Sequence, residues 1–79
     1  MVRFMDESIQ ISFMQARIVR MFSERMGISI AEGTEIFDQN GVFKFIRDCF
    51  GIFHTEGDEA VYNEVIMLLK NRGVINDQI

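Results

Sequence analysis

The chain has no proline and no tryptophan, and it has one cysteine, one histidine and only six glycines among 79 residues. Without proline and with few glycines, it lacks the frequent turns of a strand-rich fold, which favours long helices. A single cysteine excludes an intrachain disulfide and is typical of a reducing compartment. One histidine and one cysteine do not make a zinc site without carboxylates from elsewhere, and the glycines are scattered singly, so we expect no metal and no cofactor.

Positive charge is also scarce, because eight Lys and Arg stand against twelve Asp and Glu, for a net charge of −4. Such a chain is poorly suited to gather the dense cations that a phosphate backbone demands, which disfavours nucleic acid binding. No apolar run approaches the roughly 20 residues of a transmembrane helix, and the N-terminal MVRFMDESIQ has no apolar core of a signal peptide. We therefore predict a cytoplasmic protein that binds neither nucleic acid nor membranes.

Hydrophobic residues, in contrast, make up 48% of the chain and include eight Phe and six Met. A chain of this length forms one domain, residues 1–79, and buries only about 60–65% of its unfolded surface. Its core must therefore be dense in apolar groups or be completed by a partner.

Apolar residues spaced by three and four, together with helix end signals, predict four helices at about 6–26, 30–39, 42–53 and 56–72. Ser29 followed by Glu32 forms a capping box at the start of the second helix. Thr55 with Asp58 is the predicted cap of the fourth. Gly33, inside the short second helix, indicates a close approach to a neighbouring helix.

Two apolar stripes run along the predicted third helix. One consists of Phe43, Ile46, Phe50 and Phe53, and the other of Phe45, Cys49 and Ile52. A helix that is apolar nearly all round lies at the centre of a bundle. The predicted fold is therefore all-α, a small bundle of four helices with a central Phe-rich third helix in which Cys49 is buried.

Few residues could carry chemistry, and His54 is the first candidate. Histidine is the usual proton shuttle near neutral pH, and Glu56 and Asp58 follow it closely in sequence. A small enzyme or ligand-binding domain that uses His54 is therefore one alternative. The preferred interpretation is structural: His54 hydrogen-bonds unpaired carbonyls at the end of the third helix, and no catalytic residue is assigned.

A DNA-binding regulator is a third alternative, because the second and third helices are arranged in sequence like a helix-turn-helix. The polar face of the would-be recognition helix offers Lys44, Arg47 and Asp48. Its remaining positions are apolar, whereas a recognition helix must show polar groups to base edges. This pattern favours a core helix over a DNA-binding one.

Apolar residues are also concentrated near the start of the chain, at Phe4, Met5, Ile9, Phe13 and Met14. This is more apolar surface than one side of a single helix needs. Two interpretations stand: the residues belong to the core, or they form a seam for a homodimer or another protein. In the second interpretation Phe13 is the predicted contact residue.

The segment IFDQNGVFKFIRDCFGIFHTEGDEAVYNEV resembles a bacterial family known only as a domain of unknown function, and the resemblance covers about residues 29–66. The family pattern is F-x-x-x-G-V-x-x-Y-I-x-x-C-Y-x-x-L-H-T-x-G. It is matched by Phe37, Gly41, Val42, Ile46, Cys49, His54, Thr55 and Gly57. Phe45 and Phe50 stand where the family usually has tyrosine, and Phe53 stands where it has leucine.

Members of that family are often encoded beside a protein that looks like an ADP-ribosyltransferase toxin. The resemblance therefore implies an accessory or antitoxin-like binding role and indicates no catalytic mechanism. We expect a non-enzymatic protein-interaction module whose partner is another protein or a second copy of the chain. Its candidate contact residues are His54, Thr55 and Phe13.

Overall fold

The computed structural model describes residues 6–76, and these residues contain helices and no strand. The helices are α1 (Glu7–Met26), α2 (Ile30–Gln39), α3 (Val42–Asp48), α4 (Phe50–Phe53) and α5 (Asp58–Asn71). The all-α prediction is confirmed. Two members of the apolar N-terminal cluster, Phe4 and Met5, lie outside the described residues.

Local signals place the ends of α1 and α2 as predicted. The Asp6 carboxylate accepts the backbone N–H of Ile9 at 3.2 Å and so caps the start of α1. Ser29 and Glu32 form the predicted capping box, because the Ser29 hydroxyl accepts from Glu32 N at 3.0 Å and the Glu32 carboxylate accepts from Ser29 N at 2.9 Å. These bonds satisfy backbone donors that have no partner within the helix.

The predicted third helix is divided at Cys49, so the four-helix prediction is wrong and five helices are present in the described chain. Cys49 has φ −98° and ψ 6°, outside the α-helical values, although its N–H still donates to Phe45 O at 3.0 Å. Gly51, the second residue of α4, has a low helix propensity. The break therefore separates α3 from a single short turn of helix.

The predicted start of the last helix also needs correction. The Thr55 hydroxyl donates to Ile52 O at 2.7 Å, so Thr55 completes the end of α4 and does not cap α5. Helix α5 begins at Asp58, with Gly57 as an N-cap that offers no side chain. At the other end of α5, Gly73 has φ 74° and Val74 N donates to Leu69 O at 2.9 Å, which is a Schellman ending.

The central element is α1 and not the Phe-rich third helix. Helix α1 packs against α2, α3 and α5 and buries six of its residues, whereas α3 and α4 bury two each. A four-residue helix can bury only one side, and in α4 that side carries Phe50 and Phe53. Ile52 is consequently 65% exposed, and Cys49, expected to be buried, is half-buried against the core.

The crossing of α1 and α2 is close because Gly33 faces Ser23. A Cβ atom placed on Gly33 would collide with the Ser23 hydroxyl, which is buried and donates to Val19 O at 2.8 Å. This contact explains the glycine that the sequence placed in a short helix. Beside it, the Phe22 and Phe37 rings lie 5.1 Å apart.

Helix α5 is fixed to α1 by two ion pairs at its first turn. Arg17 contacts Asp58 at 2.8 Å, and Arg25 contacts Glu59 at 2.6 Å. Between them the two helices share an apolar interface, and the buried core of the described chain is formed by Ile11, Met14, Ile18, Val19, Phe22, Phe37, Val42, Ile46, Phe50, Phe53, Val61, Tyr62, Val65, Ile66 and Leu69. Among residues 6–76, no helix combines the length and the apolar character that a bilayer crossing requires.

Candidate functional site

A groove of about 240 Å³ lies between α1 and the corner that joins α4 to α5. We call it the His54 groove, and it is lined by Gln10, Phe13, Met14, Arg17, Phe50, His54, Glu56 and Asp58. It brings together two of the three predicted contact residues, Phe13 and His54. Thr55 does not line it, and the Thr55 hydroxyl is engaged by its bond to Ile52 O.

His54 is held by its own helix. Its Nδ1 lies 2.8 Å from Phe50 O, and because a carbonyl oxygen only accepts, Nδ1 carries the proton. In the neutral ring the lone pair is then on Nε2. The imidazole also stacks on the Phe50 ring, with centroids 5.5 Å apart. This geometry agrees with the predicted structural role of His54 at a helix end.

The carboxylates of the groove do not orient His54. Asp58 accepts from Arg17 twice, at 2.8 Å from Nε and 3.3 Å from Nη2, so its oxygens are occupied by the guanidinium. Glu56 lines the groove, and within the described chain neither carboxylate hydrogen-bonds the imidazole. The pair of a histidine and an orienting carboxylate that general base catalysis uses is therefore not assembled in this arrangement.

Phe13 lies on a solvent-facing side of α1. Its side chain is 53% exposed, and Ile9, one helical turn earlier, is 43% exposed. Met14, in contrast, is 3% exposed and belongs to the core, so the two interpretations of the N-terminal apolar residues apply to different side chains. We use the name Phe13 surface for the face formed by Ile9, Phe13, Ala16, Arg17 and Arg20.

A second and larger groove, of about 670 Å³, runs along α5 beside the end of α1. We call it the Tyr62 groove, and its lining residues are Arg25, Met26, Tyr62, Asn63, Ile66, Met67 and Lys70. This groove was not predicted from the sequence. The available signal was the spacing of Tyr62, Ile66 and Lys70 at four-residue steps on one face of α5, next to Met67.

One edge of the Tyr62 groove is a fixed charged pair over an aromatic ring. The Arg25 guanidinium lies 4.5 Å from the centre of the Tyr62 ring, and it donates to both carboxylate oxygens of Glu59 at 2.7 and 2.6 Å. These hydrogen bonds lower the pKa of Glu59 and raise the pKa of Arg25. Burial raises the pKa of the Tyr62 phenol, and the nearby Arg25 charge opposes that shift.

No metal centre is apparent in the described part of the chain. Within residues 6–76, no group of three or more His, Cys, Asp or Glu side chains is arranged to hold an ion. Cys49 lies half-buried against the core and lines neither groove, although its neighbour Phe50 lines the His54 groove.

Comparison with known proteins supplies a family and no activity. No curated protein and no solved structure matches the chain. A family described as a protein of unknown function, DUF3791, matches residues 13–72, which is 60 of the 79 residues and includes every lining residue of both grooves except Gln10. The predicted membership of a family of unknown function is confirmed, and the chain belongs to the DUF3791 family.

Proposed function

We propose that this chain is a non-enzymatic protein-interaction module that self-associates through the Phe13 surface. The observation that carries the proposal is the 53% exposure of Phe13 beside the 43% exposure of Ile9. An exposed aromatic residue with an aliphatic neighbour one turn away is a typical anchor of a protein interface. Fully burying a Phe contributes about 1.5–3 kcal/mol, so covering the exposed half contributes roughly 1 kcal/mol per copy.

Opposite charges on the two sides of Phe13 along the chain favour a second copy as the occupant. Asp6 lies seven residues before Phe13, and Arg20 lies seven residues after it. When two α1 helices pack antiparallel with Phe13 at the two-fold axis, Arg20 of each copy faces Asp6 of the other, because residues equally spaced from the axis meet. Arg20 makes no ion pair with the other described residues, so its charge is available for this contact.

The engaged state of the polar candidates supports a non-enzymatic role. His54 donates to a backbone carbonyl, Asp58 is held by Arg17, and the Thr55 hydroxyl donates to Ile52 O. Of these groups only the Nε2 lone pair of His54 remains unengaged, and no described carboxylate orients that ring. The enzyme that uses His54 and the DNA-binding regulator have no comparable observation in their favour.

The resemblance drawn from the sequence extends the proposal to a second protein. If the chain is encoded beside an ADP-ribosyltransferase-like toxin, as the resemblance implies, we expect the toxin to compete with self-association for the Phe13 surface. An antitoxin-like role would then follow from the exchange of one partner for the other. The Phe13 surface would be the shared contact in both complexes.

The test is the oligomeric state by size-exclusion chromatography with light scattering over a concentration series. We expect a dimer that Phe13→Glu dissociates while the helical circular dichroism signal survives. Arg20→Glu should weaken the dimer, and so should Asp6→Asn, which retains a side-chain oxygen for the α1 cap. Ile52→Glu is the control, because Ile52 is a large apolar residue that is also more than half exposed but lies on α4.

A monomer at every concentration, which also fails to bind the product of the adjacent gene on co-expression, would contradict the proposal. So would a dimer that Ile52→Glu disrupts and Phe13→Glu leaves intact. If Phe13→Glu unfolds the chain, the Arg20 and Asp6 variants still decide the outcome.

A further inference from the structure

The Tyr62 groove has the size and lining of a site for a small amphiphilic ligand. At about 670 Å³ it falls within the range of about 300–1,000 Å³ that small-molecule sites occupy. Its apolar wall is formed by Met26, Ile66 and Met67, and Met67 remains 58% exposed. Unbranched methionine side chains adapt to ligands of different shape, which suits a flexible alkyl chain.

The dimensions of the groove favour a small molecule over a protein segment. From Tyr62 to Lys70 the groove follows eight residues of α5, a length of about 12 Å. A stable protein interface buries about 800 Å² on each partner, which is more than a groove of this length offers. A short alkyl chain, in contrast, can contact the groove along its whole length.

The polar groups of the groove favour an anionic head group. The charge of Arg25 is neutralised by both oxygens of Glu59, so that end of the groove carries no free cation. Lys70 lines the other end, and its ammonium makes no ion pair with the described residues. The end of α5 carries the negative end of the helix dipole, which is reduced because the carbonyls of Leu68, Leu69 and Lys70 accept from Arg72, Val74 and Gly73, and the Lys70 charge offsets the remainder.

We propose that the Tyr62 groove binds a free medium-chain carboxylate, with the alkyl chain against Met26, Ile66 and Met67 and the carboxylate on Lys70. The groove shares no lining residue with the Phe13 surface, so this site and self-association are independent proposals. Asn63 adds an amide donor on the same side of α5 as Tyr62, within the groove.

Decanoate is the probe, and binding is followed by titration calorimetry and by amide chemical shifts below the concentration at which decanoate forms micelles. We expect saturable binding with shift changes centred on residues 62–70. Lys70→Met keeps an apolar side chain of similar length, and it should weaken decanoate at least about tenfold because a charge-assisted hydrogen bond is lost. Decanol, which has the same chain without the charge, should bind both proteins equally.

Met67→Glu should abolish decanoate binding by placing a carboxylate on the apolar wall, whereas Ile52→Glu, an equally exposed site outside the groove, should leave it unchanged. The proposal is overturned if decanoate does not saturate, if Lys70→Met binds it as well as wild type, or if the shifts centre on α1 residues 9–20. Binding to anionic vesicles without binding to free decanoate would assign the surface to a membrane and also overturn it.

Discussion

The Phe13 surface and the Tyr62 groove are built from the same kinds of residue and present them differently. Each places an aromatic side chain beside an arginine of α1 that pairs with the first turn of α5, Arg17 with Asp58 in one and Arg25 with Glu59 in the other. Phe13 is 53% exposed, whereas Tyr62 is 6% exposed and lies under the guanidinium.

This difference in exposure determines which kind of binding partner each region favours. An exposed aromatic ring on a helix face loses water only when a second broad surface covers it, which favours a protein partner. A buried ring that forms part of a groove wall has already lost its water, and the neighbouring methionines provide the remaining contact area. Residue types alone would therefore not distinguish the two regions, because the distinction lies in how α5 crosses α1.

Removing the side chain of Phe50, which lines the His54 groove together with Phe13, should have the largest effect on stability. Phe50 is 5% exposed and supports the His54 ring, so Phe50→Ala should lower the free energy of unfolding by about 3–5 kcal/mol. Urea denaturation followed by circular dichroism measures the change. Phe45→Ala is the control, because the half-buried Phe45 should cost less. Equal losses for the two variants would contradict the burial assigned to Phe50.

Adding a methyl group where α1 and α2 come closest should have an intermediate effect on stability. It should leave the Phe13 surface and the Tyr62 groove unchanged. Gly33→Ala should destabilise by about 1–2 kcal/mol, since overpacking costs about 1–3 kcal/mol and alanine returns up to about 1 kcal/mol of helix propensity. Denaturant unfolding measures it. In a Ser23→Ala background the colliding hydroxyl is gone and the Cβ atom of residue 23 remains 3.3 Å away, so the same substitution should cost less. A loss of the same size in both backgrounds would show that Ser23 is not the obstacle.

Lowering the pH should have the smallest effect on the free energy of unfolding. The effect should arise in part at the Arg25–Glu59 pair beside the Tyr62 groove. Arg25 lowers the pKa of Glu59 below its ordinary value of 4.5, so the stability contributed by this pair is complete above that value and is lost as pH falls through the lowered pKa. Unfolding free energies from about pH 7 to about pH 3 should fall less steeply for Glu59→Gln than for wild type. Asp6 and Glu32, whose pKa values are also lowered, should account for part of the slope that remains.

The features that sequence reasoning predicted correctly are those that neighbouring residues determine. The Ser29–Glu32 capping box depends on bonds within one helical turn, so its residue types suffice to predict it. The position of Gly33 against another helix was also predictable, because an interior glycine in a short helix indicates a packing constraint.

The features that sequence reasoning missed depend on which side of a helix faces the rest of the chain. Periodicity identified two apolar stripes between residues 42 and 53, and it could not tell that the break at Cys49 would turn Ile52 outward. The Tyr62 groove requires Arg25 to meet Glu59, 34 positions later in the chain. No local sequence pattern predicts that contact, because an arginine by itself is typical of a solvent-exposed charge.

The ion pairs of Arg17 with Asp58 and of Arg25 with Glu59 also indicate the order in which the chain folds. These contacts join residues 41 and 34 positions apart, whereas Ser23 and Gly33 meet across a single tight connection between α1 and α2. Closing the longer loops costs more chain entropy, so we expect the α1–α2 hairpin to form before α5 docks. A chain halted at that hairpin would have neither the Tyr62 groove nor the Asp58 side of the His54 groove. The surface lined by α5 would then be the last part of the molecule to form.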